Sequence, residues 1–355
     1  MKVPALASVL LAGLLGLPLG GFAVEKYSVA RKVVEGHTTY HLIDSRRHME
    51  VGIVPDIGNL AYEFKVNGND VIVPPSSLNT YQQERKFCCG NPILAPWANR
   101  IDKDYYFFQG KKYLLNDTLG NLLRDPFQQA TQGLLVYDPR WEVVKKGASA
   151  AEGAFLTSRV DFYRYPDLMA QFPFAHIIEV TYRLKDGKLE VTTEITSLSR
   201  TDMPVMLGFH PYFHVDGPRE DWTLSIGAAT HWLLNDRIIP TGETEPIERR
   251  LPGGKQFAMG QGAVDDIFSD LARDAAGLGH IWAKGKNQKV EVVYGKEFDV
   301  AIVHSPLKAG FICIEAQTGP TNAFNLNHEG KYPGLAVLKP GAVFQASLWI
   351  VPTGY

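Results

Sequence analysis

Cysteine is scarce in this chain: Cys88, Cys89 and Cys313 are the three among 355 residues. Three cysteines cannot build the disulfide framework of a small secreted scaffold. Their spacing is not that of a zinc site either. Either one of the neighbouring pair bridges to Cys313, or all three stay free and mostly buried; the free state is the expected one. Runs of Lys and Arg are absent and the formal net charge is −2. That excludes the electrostatic footprint of a nucleic-acid or anionic-membrane binder. There is no glycine-rich phosphate cradle, no nucleophile elbow, no internal repeat and no low-complexity linker. No amphipathic helix of three turns stands out, which argues against βαβ units.

Short strand-like runs fill the space instead. Hydrophobic residues make up 45% and charged residues 21% of the chain, ordinary for a protein with a large core. His176–Leu184 is rich in β-branched and aromatic residues, Leu189–Ile195 alternates, and Asp186-Gly187 lies between them. Asp-Gly between two such runs predicts a tight hairpin. Similar runs occur at Gly52–Val54, Tyr105–Gln109, Trp141–Val144, Phe155–Phe162, Val290–Tyr294, Asp299–His304 and Val343–Val351. Gly (33) and Pro (22) punctuate the gaps. A short helix is expected at Ala263–Leu271, a flexible loop at Lys145–Gly153 and a non-strand connection at 163–173. The pattern predicts an all-β antiparallel sandwich.

At the N-terminus, Lys2 precedes an apolar run from Val3 to Leu19, with small residues at Gly21 and Ala23. This has the layout of a cleavable export signal over residues 1–23. The expectation is a single domain over 24–355 in an exported protein, periplasmic or secreted, with no stable membrane anchor.

Three stretches carry chemistry. Phe311-Ile-Cys-Ile-Glu315 is an apolar run ending in a carboxylate, followed by a turn rich in Gly, Pro and Asn; a Glu placed so is a candidate general base. Met203–Phe213 is apolar and holds His210 between aromatic residues, with Pro211 ending regular pairing. Apolar walls can tune a histidine around neutrality. In Pro96-Trp-Ala-Asn99-Arg100 the amide and guanidinium offer several donors and Trp97 a flat apolar face. Sugars need that combination, because their hydroxyls want directional partners and their C–H faces an aromatic ring.

Together these stretches resemble the aldose 1-epimerase (galactose mutarotase) family. The motifs are Pro96-Trp-Ala-Asn-Arg100, His210-Pro-Tyr-Phe213 and Glu315-Ala-Gln-Thr-Gly-Pro-Thr-Asn-Ala-Phe324, with weaker echoes at Ile239–Glu243 and Asp265–Phe268, over residues 45 to 353. The resemblance implies a large β-sandwich of the galactose mutarotase type and an isomerase acting on a small free sugar, with no nucleic-acid partner, as a monomer or weak dimer. It implies Glu315 as base on the anomeric hydroxyl and His210 as acid at the ring oxygen. Asn99 and Arg100 would hold hydroxyls, and Asp265 would bind another or pair with Arg100. Opening and reclosing a sugar ring needs one base and one acid, so no metal and no organic cofactor is expected.

One position departs from the family pattern. Where a His-Gly pair is usual, this chain has Gln132-Gly133. A carboxamide can hold a hydroxyl but cannot relay a proton. A carbohydrate-binding protein with weak turnover therefore stays open as an alternative; the resemblance also leaves open a hexose-phosphate epimerase, against which the export signal counts. A glycosidase is less favoured, since no carboxylate pair is presented together.

Overall fold

The computed structural model describes Met1, residues 26–251 and residues 256–355. The expected export signal lies outside the described residues. Among the described residues, a 13-stranded sheet and a nine-stranded sheet take in most of the strands. All pairings between their strands are antiparallel. Contacts between Ile312–Gln317 of the first and Gly279–Lys284 and Lys289–Tyr294 of the second join the two as a sandwich. No helix among the described residues is long and apolar enough to cross a membrane.

The Asp-Gly hairpin forms as expected. His176–Lys185 pairs with Lys188–Ser197 across it, and Asp186 (φ 50°) and Gly187 (φ 86°) adopt the left-handed conformations that a two-residue turn needs. Two local expectations fail. Ala263–Leu271 is not a helix: Val264–Leu271 is a strand between Val300–Ser305 and Ala228–Leu234. Lys145–Gly153 is not a loop either, since the strand Glu142–Ser149 runs through most of it.

Register decides which side chains meet. Direct cross-strand partners point to the same face, and so do residues two apart along a strand. Asp265 lies opposite His304, His304 opposite Cys313, and Cys313 opposite Tyr212. Glu315 and Gln317 continue the row from Cys313. Hence Asp265, His304, Tyr212, Glu315 and Gln317 share one face of the larger sheet. The opposite face carries Phe268, Val303 and Ile314, all fully buried.

Candidate active site

Glu315 does not end its strand. Ile312–Gln317 runs two residues further, because Gln317 pairs with both Gly208 and Val300. The carboxylate is therefore no solvated strand end: it is 1% exposed. One of its oxygens, Oε1, lies 3.0 Å from His210 Nε2, and the other accepts from Gln317 Nε2 at 2.9 Å. His210 directly follows the two-residue strand Gly208–Phe209. Its N–H donates to the Pro92 carbonyl, which fixes the backbone. Phe87 stands edge-to-face on its ring at 4.7 Å and Tyr212 stacks on it at 4.9 Å. The Nδ1 atom is buried with no partner among the described residues.

The second cluster comes from Asn99, Arg100 and Gln132. Asn99 and Gln132 are both left-handed, at φ 55° and 62°. They clasp each other: the Gln132 N–H donates to the Asn99 carbonyl, and the Asn99 N–H donates to Gln132 Oε1. Gln132 is thus buried beside Asn99 and is not an exposed loop residue. Gly133 follows at φ 70°, where a Cβ would meet the Ala95 carbonyl oxygen at 2.2 Å, so no side chain fits there. Arg100 donates to Asp125 Oδ2 at 2.7 Å and to Asn99 Oδ1 at 2.9 Å. Its carbonyl accepts from Asn322 N–H, which ties the Glu315–Asn325 motif to the Arg100 strand. Burial pushes the Asp125 carboxyl up; the Gln129 N–H, Arg100 and the Gln129 amide outweigh it and hold the group below the usual carboxylate range.

The two clusters adjoin at Gly208. A Cβ there would meet the Ala98 Cβ at 2.8 Å and the Gln317 Cγ at 3.1 Å. The Asn99–Arg100 segment therefore packs against the strand ends that present His210 and Glu315. Exposure rises from Glu315, which is buried, through Arg100, which is partly open, to Asp265, which is exposed.

Some expectations need correction. Trp97 offers no face to a ligand: it is 1% exposed and belongs to the core. Asp265 does not pair with Arg100, whose carboxylate partner is Asp125; Asp265 lies 3.2 Å from His304 Nδ1. The cysteines, by contrast, are as expected: all three are free, Cys89 and Cys313 are buried, and Cys88 and Cys89 touch each other. His304 and Asp125 escaped the sequence reading. One further cluster, His41, Glu50 and Glu63, has ligand-type atoms within 4.8 Å of one another on the far strands. Lys32 and Lys65 already bond its carboxylates, at 2.6 and 2.5 Å.

His304 links the clusters electrostatically. Burial pushes its imidazolium down, the Asp265 carboxylate pulls it up and prevails, Glu315 adds to the rise and Arg100 opposes it. The net shift is upward from the ordinary 6.5. The pair's contribution to stability is therefore complete below about 6.5 and lost as pH rises through the higher folded value. An NMR titration of the His304 ring should give a midpoint above the ordinary histidine value, and Asp265→Asn should lower it. An unchanged midpoint in that variant would remove Asp265 as the cause.

The family model described as aldose 1-epimerase matches residues 41–350. Galactose mutarotase from Homo sapiens is 27% identical over 187 residues, 51% of this chain and 48% of that protein. The protein of the same name from Pongo abelii is 26% identical over the same span. The chain thus spans about half the length of the curated relatives it matches. Among solved structures, a galactose mutarotase-like protein from Clostridium acetobutylicum superposes with a TM-score of 0.80 at 21% identity, covering 93% of this chain and 99% of that one. Galactose 1-epimerase from Lactobacillus acidophilus gives 0.72 at 14% identity, covering 93% and 100%. These likenesses show a sandwich of the galactose mutarotase type. With the family match running through the strands that carry both clusters, the chain belongs to the aldose 1-epimerase family.

Proposed function

We propose that this protein is an aldose 1-epimerase that interconverts the α and β anomers of a free aldohexose. The observation that carries the reading is the buried His210–Glu315 contact of 3.0 Å, flanked by a cluster of hydroxyl-binding donors. The anomeric hydroxyl and the ring oxygen are bonded to the same carbon. An acid and a base that serve both must therefore stand side by side, as these two do. Glu315 takes the proton of the anomeric hydroxyl while His210 gives one to the ring oxygen, and the C1–ring oxygen bond breaks. The C1–C2 bond turns, and closure on the other face returns both protons to their donors. No net proton is consumed, and each correctly placed group contributes on the order of 10²–10⁴ in rate.

Asn99, Arg100, Gln132 and Asp265 hold the hydroxyls in this reading. The exposure gradient suits a small polar ligand that enters at Asp265 and reaches Glu315 with its reacting end. The signal-like N-terminus supports export, and with it a free sugar in preference to a phosphorylated one. Gln132 favours a second reading. It cannot titrate, and its amide oxygen already serves the Asn99 N–H. A binding protein with slow turnover would keep this geometry.

Polarimetry of freshly dissolved α-D-glucose, α-D-galactose, xylose and arabinose decides between them. With metal-chelated protein, acceleration of at least one is the expected result. Binding by calorimetry without acceleration of any would favour the second reading, and neither binding nor acceleration would sink both.

A further inference from the structure

Cys88 and Cys89 are adjacent in sequence and their sulfurs lie 2.6 Å apart. They sit between the helix Leu78–Gln83 and the strand Ile93–Leu94, on a segment that walls the candidate active site. Phe87 immediately precedes them, with its ring edge-to-face on His210 and its carbonyl accepting from the Tyr212 hydroxyl at 3.2 Å. Cys88 is partly exposed, whereas Cys89 is 3% exposed. A hydrogen bond from Cys89 holds the Cys88 thiol low, against burial and with help from Lys86, at about 7. Cys89 is pushed up by the same contact. A partly exposed thiol that ionises more readily, beside a buried one that ionises less readily, is the arrangement of an attacking and a resolving cysteine.

We propose that Cys88 and Cys89 form a reversible vicinal disulfide, made by exchange with a small-molecule disulfide, which resets the Phe87 wall beside His210. The thiolate of Cys88 attacks one sulfur of the disulfide RSSR, so a Cys88–SR bond forms and one RS⁻ leaves. Cys89 then gives up its proton and attacks the Cys88 sulfur, which expels the second RS⁻. Two protein thiols are oxidised and one RSSR is reduced to two RSH.

Adjacent residues joined by a trans peptide have Cα atoms about 3.8 Å apart. Ordinary disulfides want about 4.4–6.8 Å. The bridge therefore forms only with a local backbone adjustment, and such strained bridges are the readily reduced ones. The adjustment cannot go toward Gly90. Its N–H donates to the Val73 carbonyl, its carbonyl accepts from the Tyr212 N–H, and a Cβ would meet Leu60 at 2.6 Å. Phe87 is held by one hydroxyl bond and its ring contacts, so the change falls there. The export proposed above would supply oxidising surroundings.

The test titrates the intact protein with oxidised glutathione. Mass spectrometry should show loss of two hydrogens, mapped to the peptide with Cys88 and Cys89 and reversed by dithiothreitol, with Cys313 untouched. Cys89→Ser should stop at a stable glutathione adduct on Cys88, and Cys88→Ser should give neither product. The His210 ring resonances should shift on oxidation as Phe87 moves, in the wild type and not in Cys88→Ser. Mutarotation should change several-fold in parallel, and that arm alone rests on the proposed function. A protein that forms the bridge and shifts His210 but never accelerates mutarotation would count against that function and support the switch. Absence of both bridge and adduct in the native protein, or a bridge that leaves His210 unmoved, would overturn the proposal.

Discussion

Glu315→Gln is expected to slow mutarotation by about 10²–10⁴-fold, the contribution of one general base. Sugar affinity should stay close to that of the wild type. The carboxylate is 1% exposed and has two fixed neighbours, the His210 ring and the Gln317 amide. A carboxamide has the same shape: its one oxygen can still accept from Gln317, and its NH2 takes the place of the oxygen that faced His210. The packing therefore has no reason to change. What is lost is the ability to take a proton from a bound hydroxyl. Polarimetric rates together with calorimetric affinities check both halves. If the variant keeps more than about a tenth of the wild-type rate, less than any single base typically contributes, the proton goes elsewhere.

The strand pattern was legible because buried strands carry period-2 apolar residues and Asp-Gly marks its turn. The misreadings have identifiable causes. Val264, Ile267, Phe268 and Leu271 fall at helical spacing, which hides a strand. Its inward polar residue, Asp266, is buried only because His231 and Arg250 neutralise it. Lys145–Ser149 reads as a loop because it continues an edge strand, and edges carry lysine as protection against further pairing. Trp97 reads as a platform because composition does not tell which way a ring points.

The sequence motifs name Glu315, His210, Asn99, Arg100, Gln132 and Asp265 as candidates, but not the partners that each one meets. His304 sits in the apolar run Val300–Ser305 and becomes visible only once the register sets it opposite Asp265. Asp125 lies in a different segment from Arg100, and only the hairpin-like approach of Ala130–Thr131 to Arg100–Ile101 brings the two together. Long-range register is chosen by the whole sheet, and no local motif encodes it.

That Asp125 pairing shapes the second large effect. Arg100→Ala should weaken sugar binding by about 1.5–3 kcal/mol, the loss of a charged hydrogen-bond partner, or roughly ten- to hundredfold in Kd. It should also lower stability, since Asp125 is buried and would keep only neutral donors, the Phe127 N–H and the N–H and amide of Gln129. Removing one partner of a buried pair costs about 3–5 kcal/mol, and the lower end applies because Arg100 is 18% exposed. The two losses separate in a second variant. Asp125→Asn in the Arg100→Ala background removes the stranded charge, so denaturant midpoints should recover while affinity does not. Arg100 holds Asp125 through Nε and Asn99 Oδ1 through Nη1; in the proposed reading its other donors serve the ligand. If calorimetry finds the affinity of Arg100→Ala unchanged while stability falls, Arg100 serves Asp125 alone, and the hydroxyl-binding cluster reduces to Asn99, Gln132 and Asp265.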